Sequence, residues 1–584
     1  MFSIIGKDPR SKEADMVDNG LIYFARKGDG ETLSDKICMR PDKANRHGFI
    51  CGATGTGKSV TLKVLAESFS QIGVPVFMSD VKGDMAGIAV PGTDSEGMQK
   101  RLDRFEIRND FIYRGFPVSI FDIYSDKGTP LRTTVSEMGP LLFSQVLDLN
   151  DTQTELMQVI FKIADDLGLI LTDTKDMKAT LQYCADHSSE FKMDYGLIPQ
   201  QSASAIIRAI VALESEGADT FFGEPAIDIR DLFLTAPDGR GIINILDAET
   251  LINKPRLYSA FMLYLLSELF EVLPEVGDPE KPKMVFFFDE AHLLFKNASK
   301  SLLEKIEQVV KLIRSKGVSI FFVTQSPGDI PGSVMSQLGN KIEHGLHAYT
   351  PAEQKALNAA ADAFRENPAF DTKELMQNLG TGEAVVSMLD ENGAPSMAEY
   401  AFVLPPESRM GALTDEERRN AVDYSPLNNK YLIMVDNVTA YEVITGRVPG
   451  AAAASGAGTV TAPDGQVYGN TSGIPAAAPE AQAPADEGIV INYDEPAQQP
   501  VQQPKVKPAA KVEEESGSRI GELADSYLGK SGTRQVIRST GSTIGREIGK
   551  TIGEAVLGKK GRTIGGNIGS AIGRNLLGTL TGKK

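Results

Sequence analysis

The chain has 584 residues, 41% of them apolar, which is too long for one compact core and too apolar for a wholly disordered protein. Its net charge of −18 is uneven: residues 531–584 hold ten Lys and Arg against only Glu547 and Glu554, so the rest is an acidic body that makes a poor non-specific nucleic-acid binder. Cys38, Cys51 and Cys184 lack CxxC spacing, and the stretch Met1-Phe2-Ser3-Ile4-Ile5-Gly6-Lys7-Asp8 has no basic-then-apolar leader pattern. With no run of about 18 apolar residues to predict a transmembrane helix, the expected setting is a reduced cytoplasm. A local basic channel inside a ring remains compatible with that charge, because net charge does not report its distribution.

Residues 1–45 read as a short mixed segment with one or two strands. From His47 to Met78 the pattern is strand, loop, helix, strand. Gly48-Phe49-Ile50-Cys51 is apolar, a Gly-rich loop follows, and Val60, Leu62, Val64, Leu65 and Phe69 fall on helical spacing. Gly73 ends that helix, and Val74–Met78 predicts a second strand closing at Asp80. Such a βαβ unit implies parallel strands and a right-handed crossover. With a strand at Val118–Ile123 it makes up a first half-core over 46–139.

Residues 140–235 are mainly helical, as at Thr152–Leu167 and Ala203–Glu214, and read as an insertion. The second half-core, 236–410, has strands at Ile242–Leu246, Met284–Phe288 and Val318–Val323. Their near-continuous apolar runs suit a sheet covered on both faces. Helices are expected at roughly 256–273 and 301–315, and two β-rich runs near 383–404 flank Glu391-Asn392-Gly393, a hairpin signal. Residues 411–447 extend the core. Residues 448–516, rich in Ala, Pro, Gly and Gln, read as a disordered linker.

The basic tail 517–584 carries a repeat: Ile544-Gly545, Ile548-Gly549 and Ile552-Gly553 recur as Ile564-Gly565, Ile568-Gly569 and Ile572-Gly573. Four-residue spacing lines the isoleucines on one helix face, with glycines beside them for close packing. Glycine costs a helix about 1 kcal/mol each in water. A Gly-rich helix against another subunit, a protein or a membrane surface is one reading of this tail, and a disordered solubilising tail is the other.

Gly52-Ala53-Thr54-Gly55-Thr56-Gly57-Lys58-Ser59 matches G-x-x-x-x-G-K-[ST] in full, after a strand and opening a helix. Its glycines let the backbone wrap phosphates, and the helix start, through Val60, offers unpaired N–H groups to them. Lys58 would reach the β- and γ-phosphates of ATP, and Ser59 would ligate Mg²⁺. Met284-Val285-Phe286-Phe287-Phe288-Asp289-Glu290 is an apolar strand ending in two acids. Asp289 would hold Mg²⁺ through water and Glu290 would activate the attacking water.

Gln325 ends the following strand, where a polar tip can touch the γ-phosphate or the lytic water. Arg314 has two readings, a favourable charge at a helix C-terminus or an arginine acting on the γ-phosphate across a subunit interface. Asp80-Val81-Lys82-Gly83-Asp84 is open between contacting Mg²⁺ or substrate and a capping turn. Asp289-Glu290-Ala291-His292 spells the DEAH-box signature. However, Lys58 and Asp289 lie much farther apart than in those helicases and a Q-R-x-G-R-type motif is missing, so His292 reads as a helix-start residue beside the site.

Together, Asp80-Val81-Lys82-Gly83-Asp84, Phe222-Gly223-Glu224-Pro225, Asp289-Glu290-Ala291-His292-Leu293-Leu294-Phe295 and Ile313-Arg314-Ser315-Lys316-Gly317-Val318 resemble the HerA/FtsK superfamily of ring ATPases. Within it they most resemble the bacterial HerA-like proteins of the YjgR type. The resemblance covers roughly residues 15–410. It implies an α/β fold with a RecA-like P-loop core, Mg-dependent ATP hydrolysis, and a hexamer with sites at subunit interfaces. It carries over to Lys58, Ser59, Asp289, Glu290 and Gln325, while family members differ in where the trans-acting arginine lies. HerA proper has a β-barrel before its P-loop, and the segment before Gly52 is too short for it, so a nuclease partner is not expected. Two functions follow: a motor translocating double-stranded DNA, or a regulatory or scaffold ATPase whose nucleotide state controls assembly through the tail.

Overall fold

The computed structural model describes residues 16–30, 32–295, 300–446, 460–461 and 467–468. The chain divides into two units, Met1–Ala478 and Pro479–Lys584, and the described residues belong to the first. The tail expected at 517–584 lies outside the described residues. Within 448–516 only Val460–Thr461 and Val467–Tyr468 are described, and they pair as a short antiparallel ladder.

Thirteen strands form one sheet. In chain order they are β1 Val17–Asp18, β2 Leu21–Gly28, β3 Leu33–Met39, β4 Gly48–Cys51, β5 Val76–Asp80, β6 Val118–Asp122, β7 Thr129–Pro130, β8 Ile243–Asp247, β9 Met284–Phe288, β10 Val318–Thr324, β11 Asn340–His344, β12 Glu383–Ser387 and β13 Glu399–Val403. Their spatial order is β1-β2-β13-β12-β11-β4-β10-β9-β5-β8-β6-β7, with β3 beside β2. From β11 to β7 every pairing is parallel. From β11 through β12, β13 and β2 to β1 and β3 every pairing is antiparallel.

The parallel strands are apolar on both faces because both faces are covered. Phe77, Phe286, Phe288, Ile320 and Phe322 enter one core with the helices Asp151–Leu167, Gln200–Glu214 and Pro255–Val272. Val76, Met78, Val285, Phe287, Phe321 and Val323 enter the other, against Leu62, Leu65 and Phe69 of the helix Lys58–Gln71. Alternation within a strand that reads as uniformly apolar is the mark of a central parallel strand. The rings of Phe287 and Phe321 stack at 5.2 Å, and Phe69 leans on both at 6.4 and 6.3 Å.

Three sequence expectations shift. The segment 1–45 supplies three strands, which extend the sheet antiparallel beyond β13. The strand after the first helix begins at Val76, because Val74 N–H still bonds Phe69 O at 2.9 Å and Pro75 has no N–H to give a ladder. β11 escaped the sequence reading: Asn340, Glu343 and His344 lie at 1% exposure or less, yet as a string they look like a surface loop. Among the described residues no single helix is long and apolar enough to cross a membrane.

Candidate active site

The strand β4 ends at Cys51, and the chain turns into the loop 52–57 before the helix Lys58–Gln71. Gly52, Gly55 and Gly57 all take positive φ, at 152°, 80° and 120°. A Cβ on Gly52 would stand 2.5 Å from the Cβ of His344, and one on Gly57 would stand 3.1 Å from Gly382 Cα, so neither position has room for a side chain. Gly57 is the N-cap and provides no side-chain cap, which leaves the first helical N–H groups open to an anion. Thr54 and Gly55 form the exposed tip, Ser59 and Val60 are half-buried in the first turn, and Thr56 turns its hydroxyl inward to Ala53 O at 2.7 Å. Lys58 is buried, with its ammonium on Gly52 O at 2.6 Å and Ala53 O at 2.9 Å.

Parallel register brings the other candidates to the same edge. β10 lies between β4 and β9, aligning Thr324 with Cys51 and Phe322 with Phe288. The residues just past each strand therefore meet the loop, as expected at the carboxyl ends of an open α/β sheet. Gln325 Nε2 donates to both oxygens of Glu290, at 2.9 and 3.2 Å, and Thr54 donates its hydroxyl to Gln325 Oε1 at 3.2 Å. Lys82, in the turn after β5, places its ammonium 2.7 Å from Glu290 Oε1. His292 opens a short helix with Nδ1 at 3.4 Å from Glu290 Oε2, beside the acid pair as the sequence suggested. Burial works against the Glu290 charge, but hydrogen bonds from Lys82 and Gln325 hold its carboxyl below the ordinary range.

Asp289 behaves oppositely. Burial pushes it up to about 7, Lys82 pulls it down and Glu290 pushes it further up. Its Oδ2 is buried with no hydrogen-bond partner among the described residues. A buried, unpartnered carboxylate oxygen beside a phosphate loop is the place where a hard cation relieves the cost of burial. Among the described residues no group of three or more His, Cys, Asp or Glu converges on a metal site. The fit is thus to Mg²⁺, which takes one or two protein oxygens and completes its shell with phosphate and water. Ser59 and Asp289 are the residues that could hold it.

Arg314 is not brought to this edge. It sits in the turn before β10 starts, at the opposite end of the sheet, and donates to Asp278 Oδ1 at 3.2 Å. Asp80 caps its own turn, accepting the N–H groups of Asp84, Met85 and Ala86 at 3.1, 3.0 and 3.1 Å. Phe222-Gly223-Glu224-Pro225 pairs with Thr133 and Val435 instead, through Gly223 N–H to Thr133 O at 2.8 Å and Val435 N–H to Glu224 O at 3.0 Å.

The site also has a floor that sequence reasoning missed. His344 bridges Thr61 Oγ1 at 2.9 Å and Glu383 O at 2.8 Å, directly beneath Gly52. Gly345 O accepts Ala53 N–H at 2.9 Å, and Gly382 N–H bonds Thr56 O at 2.8 Å. Arg101 secures that second loop through Gly382 O at 3.0 Å. Beside β4, burial pushes the Glu343 carboxyl up to about 8, against the pull of Cys51 and Lys58. The available signal was charged residues just before a glycine, in Glu343-His344-Gly345, which no local pattern ties to the loop.

A Gly-rich loop opening a helix, with two acids at the tip of the next strand but one, defines a P-loop NTPase with a RecA-like core. The chain belongs to the family described as Helicase HerA-like C-terminal, whose model matches residues 26–492. It is 22% identical over 364 residues to the DNA double-strand break repair helicase HerA of Sulfolobus acidocaldarius, covering 61% of this chain and 65% of that protein. It is 23% identical over 358 residues to a probable helicase of Methanocaldococcus jannaschii, covering 60% and 61%. The chain thus spans less than two thirds of the length of these curated relatives. Among solved structures it is similar to the bacterial conjugative coupling protein TrwBdeltaN70, with TM-score 0.44 and 16% identity over 69% of this chain and 99% of that one. It is also similar to VirB4 of Thermoanaerobacter pseudethanolicus, with TM-score 0.41 and 18% identity over 66% and 97%.

Proposed function

We propose that this protein is a Mg-dependent ATPase that works as an oligomeric ring and drives translocation along double-stranded DNA. The observation that carries the ATPase reading is the convergence of Glu290, Gln325 and the unpartnered Asp289 oxygen on the loop Gly52–Ser59. The backbone of Gly52, Thr54, Gly55, Thr56 and Gly57 and the open N–H groups through Val60 receive the phosphates, and Lys58 exchanges its carbonyl partners for phosphate oxygens. Ser59 and Asp289 would hold Mg²⁺, which would supply charge neutralisation at the phosphates. Glu290 takes a proton from water as its oxygen attacks the γ-phosphorus, while the bond to the β–γ bridging oxygen breaks to give ADP and phosphate. Gln325 orients Glu290 and that water.

The DNA substrate rests on kinship with proteins named as helicases, and the ring of six rests on the HerA/FtsK resemblance. In such a ring Arg314, paired with Asp278 far from its own loop, would have to leave that partner to act on a neighbouring protomer. A second reading is a scaffold or regulatory ATPase recruited to a protein or membrane surface through residues 517–584, favoured by the acidic body and the basic Ile-Gly tail. The deciding measurement is the steady-state ATPase rate with Mg²⁺, with and without duplex DNA, for wild type and Glu290→Gln. Removal of the general base is expected to cost roughly 100- to 10,000-fold in kcat. DNA stimulation that weakens with salt and vanishes in the variant supports the motor. Hydrolysis indifferent to DNA favours the recruited ATPase, and a wild type that does not hydrolyse ATP would overturn both.

A further inference from the structure

The turn after β5 contributes a second lysine to the phosphate site. Asp80 fixes that turn through three backbone N–H groups, and Gly83 takes φ 75°. A Cβ on Gly83 would meet Glu249 Oε1 at 1.8 Å, so the turn is also packed from behind. Lys82 therefore leaves a rigid base and reaches Glu290, whose side chain is only 5% exposed while its own is 42% exposed. Glu290 is held in a left-handed backbone conformation, φ 48°, that a residue with a Cβ adopts at a cost. A continuous polar chain thus runs from the exposed tip of the phosphate loop to the turn after β5: Thr54, Gln325, Glu290, Lys82.

This arrangement pairs the group that must accept a proton with an ammonium. A carboxylate saturated by Lys82 and Gln325 is a weak base. Lys82 is the half-exposed partner of the pair, and Lys58 in the same site repels it. A nucleoside triphosphate adds to that site the negative charge of one more phosphate group than a diphosphate brings. We propose that Lys82 is a γ-phosphate-sensing positioning residue: it holds Glu290 while no terminal phosphate is present and transfers to that phosphate when ATP enters, which frees Glu290 for the water. The inference rests on the ATPase reading and adds to it the group that tells ATP from ADP.

The test is a double-mutant cycle read as binding, by calorimetric titration of Mg-ADP and of Mg with a non-hydrolysable ATP analogue. Lys82→Met is expected to weaken the triphosphate by roughly 10- to 100-fold, the worth of one charge-assisted hydrogen bond, and to leave ADP within about twofold. Glu290→Gln is expected to tighten the triphosphate in the wild-type background, because it removes the competitor for Lys82. In the Lys82→Met background that gain should be absent. Lys82→Arg should retain the preference for triphosphate, and unchanged melting temperatures would show that the variants fold. Equal losses for ADP and triphosphate, or the same effect of Glu290→Gln in both backgrounds, would overturn the sensor while leaving the ATPase intact. A wild type that binds neither nucleotide would overturn the ATPase reading and this inference with it.

Discussion

Gly52 and Gly55 belong to one loop but answer to different constraints. At Gly52, φ is 152° and an added methyl would strike the Cβ of His344 at 2.5 Å and Thr56 Oγ1 at 2.8 Å. At Gly55, φ is 80° and nothing lies within 4 Å. Gly52→Ala should therefore displace the loop from its floor, cost roughly 1–3 kcal/mol of stability and abolish nucleotide binding. Gly55→Ala should carry backbone strain alone, about 1–2 kcal/mol. Urea denaturation and nucleotide titration of the two variants check this, and equal behaviour would refute the role given to His344. The motif was legible as a motif, yet spacing cannot say which glycine is indispensable. That distinction is set by His344, which is remote from Gly52 in sequence.

At the scale of elements, two buried histidines tie the strands to the helices around the site. His47 accepts Ile320 N–H at 3.1 Å through Nδ1 and donates from Nε2 to Val310 O at 2.9 Å, and so needs the neutral ring. Burial lowers His47 to about 4 and His344 likewise to about 4. A base whose folded pKa is depressed lends stability above the ordinary imidazole value of 6.5 and withdraws it as pH falls toward 4. Glu67, which caps the backbone of Glu407 and Ser408, and Glu343 are pushed up by burial to about 7 and about 8. Raised carboxyls favour the folded state fully below the ordinary 4.5 and lose that contribution from there up to about 7 for Glu67 and about 8 for Glu343. Between about pH 4.5 and 6.5 these two carboxyls and two histidines oppose each other, so melting temperature should be near level there and fall above 6.5, where only the carboxyl contribution is being lost; each histidine's cost, on the order of 3 kcal/mol by pH 4, is largely offset by the carboxyls. A melting temperature flat from pH 8 to 4 would contradict these burials. None of this was readable locally: β9 and β10 declared themselves by apolar runs, whereas β11 buries Asn340 and His344, whose neighbours offer them hydrogen bonds, and Glu343, whose Oε1 has none among the described residues.

For the whole molecule, residues 16–446 contain every strand of the thirteen-stranded sheet and every residue of the candidate site. Removing residues 517–584 is expected to leave basal ATP hydrolysis within about twofold, because every residue assigned to the candidate site lies within 16–446. The same truncation should abolish recruitment to a protein partner or an anionic vesicle if the tail is the docking element. Sedimentation with vesicles and the ATPase rate measured together check both halves, and unchanged recruitment would leave the tail without that role. The sequence by itself determined the phosphate loop and the acid pair, since the loop and the apolar strand ending in two acids are contiguous strings whose backbone requirements select their residues. It also determined the parallel character of the central sheet, through apolar runs that only a doubly covered strand carries. Tertiary structure alone decided which strand lies between β4 and β9, what floors the loop, and that Lys82 sits on Glu290. Those contacts depend on strand order and register, which join residues far apart in the chain and leave no pattern in any one segment.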